Sequence, residues 1–312
     1  MSVKNSLKIA SIGIMGGMVF RILSVLYQFD RTTGFYKDNG VFAWIDVAFV
    51  LATAALSGLT TLHDKKTFFT PYSNTKNRLL GTISLFSGVG LLVMAAMQMK
   101  VYFETKNAQD FDWNEPMTSW VHLGLIGSSV IFGLLQIILV PAFFAGRNSF
   151  GGFPALYLIS VLWGIFNLFF MFLYYSHSVL HQENVYTILS AALLLLALYY
   201  LSRYFGGVNT EHSARLFYVF GFPAVLVSTA GIASNLLVYF LLGISLSEVP
   251  IIIQMAQLSV ALLVFVSLVT IRKYDLHEPA GSHRKKHRYY TSSKITIAST
   301  SEQQEAKRMR VK

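Results

Sequence analysis

Two ionisable residues lie inside long apolar stretches of this sequence, and they carry opposite charges: Arg21 and Asp46. A charge in such surroundings is costly and points to a task. Arg21 stands seven residues before Gln28, where its apolar run ends. Asp46 stands five residues after Val41, where the next run begins. At about 1.5 Å per helical residue these offsets are depths of about 10 and 8 Å. Two consecutive antiparallel helices would therefore bring the charges level, and the spacing predicts an Arg21–Asp46 ion pair. Such a pair acts either as a structural lock between two helices or as part of a substrate-anion or proton site. Gly13, Gly17, Arg21, Ser24 and Gln28 mark one face of the first run; Asp46, Thr53, Ser57 and Thr60 form the matching stripe on the second.

A softer polar pattern recurs further on. Gln136, Asn167, Asn235, Gln254 and Gln257 sit in apolar runs near small residues, the composition of a helical bundle interior in which amides bond across helices. Converging at mid-depth, they would suit a polar, uncharged solute. Three histidines raise a different chemistry. His177 and His181 are four apart, one helical face, and His122 begins another run at the same end. With Glu183 or the acidic stretch Glu104, Asp110, Asp112 and Glu115, they would compose an outer-face site for a divalent metal, able to activate water for hydrolysis. No H-E-x-x-H motif supports it, and exposed interfacial histidines are the plain alternative. Asp110–Glu115 departs from a calcium loop, with Glu115 where glycine belongs. Walker, G-x-S-x-G and dinucleotide-binding motifs are absent from the sequence, and so is a lysine deep in an apolar run.

The elements that must position these residues are eight apolar runs of about 20 residues, the length that crosses a bilayer as a helix. They are Lys8–Tyr27, Val41–Thr61, Leu79–Met99, Trp120–Phe144, Phe153–Tyr175, Val185–Leu201, Leu216–Leu242 and Val249–Ile271. The runs are continuous rather than alternating, which argues against a β-barrel. The first resembles a signal peptide in its charged start, but apolar character resumes after Arg21 and no small-residue cleavage pattern follows; it reads as an uncleaved span. Pro141 and Pro223 fall near run ends on this division, and Pro250 at the start of the last.

Composition agrees. The 312 residues are 54% hydrophobic and 13% charged, about half the charge of a soluble domain. That excludes an ordinary soluble protein and, for most of the length, disorder. Zero cysteines exclude disulfides and thiolate sites. The fold expected is an all-α, polytopic integral membrane helical bundle with eight transmembrane helices over residues 1–272. A basic tail, 273–312, follows and reads as disordered. Lys and Arg collect at cytoplasmic loops. With the termini and alternate loops on one side, 20 of the 25 Lys and Arg lie there and four lie opposite. Both termini are therefore expected in the cytoplasm, in a plasma membrane. The absence of any N-x-S/T acceptor is compatible with a bacterial source.

The net charge of +10 comes largely from the tail, which holds His283–Arg288 and Lys307–Lys312. Its expected partners are anionic lipids and a cytoplasmic protein, not nucleic acid. Three function classes follow. The first is a small-molecule or ion carrier with its site between helices and no cofactor. The second is a non-catalytic sensor or assembly component recruiting a partner through the tail. The third is the outer-face metal-dependent hydrolase. The first two stand ahead of any enzyme.

Overall fold

A computed structural model describes residues 3–30, 36–37, 40–63, 68–72, 75–107, 116–147, 154–175, 181–243 and 245–277. Among them, eight helices are long and apolar enough to cross a membrane. In chain order they are α1 (Val3–Gln28), α2 (Val41–Leu62), α3 (Arg78–Asn107), α4 (Pro116–Ala145), α5 (Ile159–Tyr175, preceded by a 3₁₀ turn, Pro154–Leu158), α6 (His181–Phe205), a seventh, and a last. The seventh span runs as α7 (Thr210–Ser228), a π-helical turn (Thr229–Ala233) and α8 (Ser234–Leu242); α9 (Ile251–Tyr274) follows. The chain is a helical bundle, and eight apolar helices are the signature of a multi-pass membrane protein.

Packing follows the chain in pairs and then closes. α3 packs on α4, α4 on α5, α5 on α6, α6 on α7, α7 on α9 and α9 back on α3. These six helices make a ring. The α1–α2 hairpin docks outside it, against α7 and the π-turn. α3 and α4 cross where glycines let the backbones touch: a Cβ on Gly133 would lie 2.9 Å from the Gly88 carbonyl oxygen. Large apolar side chains such as Leu85, Ile138 and Phe172 are exposed on the outside of the bundle.

Several boundaries differ from the sequence expectation. α3 does not stop at Met99 but continues to Asn107, because Lys100 and Glu104 pair at i,i+4 across 3.6 Å and extend an exposed turn. α6 and α7 run past their apolar runs, and the break between them shrinks to Gly206–Asn209, where Gly207 and Asn209 take positive φ of 75° and 45°. Pro223 consequently lies in the helix interior rather than near a span end. The seventh span runs on as one helix to Leu242 and widens into the π-turn six residues later.

At the other end of the bundle a short clamp forms. β1 (Phe68–Phe69) pairs antiparallel with β2 (Leu276–His277), just beyond α9. The Tyr204 hydroxyl lies 2.9 Å from Asp275 Oδ2 and 3.1 Å from the Thr70 carbonyl oxygen. Asn77 Nδ2 donates to Thr270 Oγ1 at 2.7 Å. Tyr72 stacks edge-on against Phe205, and burial with the neighbouring Asp275 carboxylate pushes its phenol above the usual range. The first residues after Ile271 are thus helix and strand. The tail from residue 278 and the acidic residues Asp110, Asp112 and Glu115 lie outside the described residues.

Candidate functional site: a buried charge pair at the helix seam

Arg21 and Asp46 are both fully buried, at 0% exposure. Their helices are antiparallel neighbours, as the short connection requires. Ser6 Oγ on α1 lies 2.6 Å from Thr60 Oγ1 on α2 and accepts from Thr61 Oγ1 at 2.9 Å. Gly17 faces Asp46 from α1; a Cβ there would meet Val50 Cγ2 at 2.7 Å and Ala230 Cβ at 3.1 Å. The hairpin therefore sits close enough to the π-turn for the charges to reach across the seam.

What joins them is a residue the sequence did not single out. The Tyr186 hydroxyl on α6 donates to Asp46 Oδ2 at 2.7 Å, and the Arg21 guanidinium carbon lies 5.2 Å from the centre of the Tyr186 ring. One tyrosine thus binds the anion with its hydroxyl and the cation with its π-face. Arg21 Nη2 also reaches Asn235 Oδ1 on α8, at 3.5 Å. The other carboxylate oxygen, Asp46 Oδ1, is buried and accepts no hydrogen bond among the described residues. Gly231, in the π-turn, lies directly against Tyr186, leaving no room for a Cβ. Near it Ser190 and Ser228 are 2.6 Å apart, linking α6 to α7. Tyr36, in the α1–α2 connection, is an electrostatic neighbour of Tyr186. The sequence signals for Tyr186 were weak. In its apolar run, Val185–Leu201, it is one residue in, where an interfacial tyrosine is ordinary; only the helix start at His181 sets it five residues deep.

The amides divide. Asn235 joins Arg21. Gln136 Oε1 instead accepts from Ser84 Oγ at 2.6 Å and ties α4 to α3. Gln254 Nε2 donates back to the Val249 carbonyl oxygen at 2.8 Å, just before its own helix. Gln257 and Asn167 are buried with amides that meet no partner among the described residues. The five therefore do not converge on one place.

His122 is buried rather than an exposed interfacial residue, at 6% exposure. Its Nε2 lies 3.1 Å from Gln98 Oε1. Tyr102, Phe170 and Tyr174 surround the ring, with centroids 5.1 to 5.8 Å away. His177 and the His181 and Glu183 side chains lie outside the described residues. Among those described, no group of three or more His, Asp or Glu is placed to hold a metal.

Arg21 and Asp46 carry opposite formal charges and meet at Tyr186 between α1, α2, α6 and the π-turn. The chain matches no protein-family model, no curated protein and no solved structure.

Proposed function

We propose that this chain is a multi-pass protein of the plasma membrane with both termini in the cytoplasm, and that it carries or facilitates passage of a small polar solute at the Arg21–Tyr186–Asp46 seam. The observation that supports this most is two opposite charges, both fully buried on different helices, meeting one tyrosine beside a π-turn. π-turns inside long helices accompany functional sites, and ionisable residues at membrane depth do so too. The balanced pair and the open Asp46 Oδ1 favour an uncharged solute that donates hydrogen bonds. The distribution of Lys and Arg supports the orientation.

The test is osmotic swelling of proteoliposomes in glycerol, urea and erythritol, followed by light scattering. Faster swelling than empty vesicles is expected for at least one solute, and Asp46→Asn and Tyr186→Phe should remove the difference. Swelling equal to empty vesicles for all three sinks the facilitator reading.

One observation favours a second reading. A cavity among α3, α4, α5, α6 and α9, lined by Gln136, Ser160, Ser202 and Ser267, is about 30 Å³, room for water rather than a larger solute. A non-transporting assembly or sensor component needs no path. In that reading the pair is a lock, and the basic tail rests on anionic lipids and recruits a cytoplasmic protein. Deleting 278–312 should then remove a co-purifying protein; an unchanged set of co-purifying proteins rejects it.

A further inference from the structure

Inside the six-helix ring, away from the charge pair, α5 carries a row of buried polar groups, two of which meet no partner among the described residues. Its sequence from Ile159 to Met171 is apolar except for Ser160, Trp163 and Asn167. All three fall on one face, at i, i+3 and i+7, and all three are buried. Trp163 is 0% exposed and Asn167 1%. Yet Trp163 Nε1, Asn167 Nδ2 and Asn167 Oδ1 have no hydrogen-bond partner among the described residues. An indole N–H, an amide N–H₂ and an amide oxygen left bare in an apolar interior lose the hydrogen bonds that water gave them, which is unfavourable.

Ser160 begins the same row, and it is not bare. Its Oγ lies 2.9 Å from Ser202 Oγ. It also lines the cavity of about 30 Å³, whose walls include Gln136, Ser202 and Ser267. That volume is the size of one water, and its polar walls are what a buried water requires. Trp163 and Asn167 are one turn apart on this face, and each holds a buried polar end that meets no partner among the described residues.

We infer that the interior face of α5, from Ser160 through Trp163 to Asn167, is a water-binding site: bound water fills the cavity at Ser160 and bridges the Trp163 indole to the Asn167 amide. The ligand is a neutral molecule of water's size, since Trp163 donates once and the Asn167 amide both donates and accepts. The site lies within the ring formed by α3, α4, α5, α6, α7 and α9, not at the hairpin seam. It holds whether or not the Arg21–Asp46 site carries a solute.

Radiolytic footprinting of the full-length protein in lipid nanodiscs tests this. Hydroxyl radicals made from a bound water oxidise the side chains beside it, even where bulk solvent has no access. Met94 on α3 is equally buried, at 0% exposure, and methionine is comparably reactive, so it serves as the internal reference. Trp163 is expected to be oxidised several-fold more than Met94, and Asn167→Leu should lower that labelling several-fold. Trp163 oxidation no higher than Met94 in the wild-type protein overturns the proposal, and needs no variant to fold. Strong Trp163 labelling that Asn167→Leu leaves unchanged also overturns it, since the amide would not be holding the water.

Discussion

Tyr186 holds Arg21 and Asp46 in one frame, and its removal separates the two ways the frame can matter. Tyr186→Phe keeps the ring under Arg21 but takes the only hydrogen bond that Asp46 Oδ2 receives among the described residues. The expected loss is about 1–3 kcal/mol. Arg21→Met leaves a buried carboxylate without its cation, and should cost about 3–5 kcal/mol. Removing both charges, with Arg21→Met and Asp46→Leu together, should cost less than the sum of the single losses, because no uncompensated charge is left. Denaturant unfolding in mild detergent, read as a double-mutant cycle, checks this. Additive losses would mean the two residues do not interact. Arg21 and Asp46 were legible in the sequence because a charge within an apolar run has few innocent explanations. Tyr186 was not. A tyrosine in an apolar helix serves equally as an interfacial anchor, a core side chain or a hydrogen-bond donor, and only its neighbours decide which.

At the scale of elements, the seam depends on close helix approach, and glycine substitutions map it. A Cβ on Gly231 would meet Tyr186 Cβ at 2.7 Å, whereas one on Gly127 meets nothing within 4 Å. Gly231→Ala should overpack the π-turn against α6 and destabilise by about 1–3 kcal/mol. Gly127→Ala should be neutral or stabilise α4 by up to about 1 kcal/mol. Thermal unfolding of the two variants reads the contrast, and equal effects would show that Gly231 does not hold the seam. The π-turn itself left no mark in the sequence. Thr229–Ala233 reads as ordinary small-residue helix, and Pro223 pointed to a span end only because the polar start of α7, Thr210–Arg215, was counted as loop. Glu211 and Arg215 pair at 3.6 Å on that turn, so charged residues extended the helix beyond its apolar core. Lys100 and Glu104 extend α3 beyond its apolar core in the same way.

For the whole molecule, the eight-span count ties orientation to parity. The chain has no cysteine, so single-cysteine reporters label uniquely. Lys37→Cys and Lys76→Cys both fall at exposed positions, in connections at opposite ends of α2. A membrane-impermeant maleimide on intact cells is expected to label Lys37→Cys, and to label Lys76→Cys only after lysis. The reverse pattern would invert the orientation and move the charge-pair end to the cytoplasmic side. The clamp of Tyr204, Thr70 and Asp275 shows that the Lys76 end is also where the chain ties its last helix to an earlier connection.

The sequence by itself determined the number and approximate limits of the apolar helices, and the two residues whose burial demands an explanation. Both follow from local composition: about 20 apolar residues make a span, and a charge within one stands out. Tertiary structure alone decided the ring of six helices with a docked hairpin, the tyrosine between the charges, the π-turn beside it and the separate fates of the five amides. These depend on which helices become neighbours. Helix–helix contacts in such a bundle come from small residues and shape, and those leave no periodicity that names a partner.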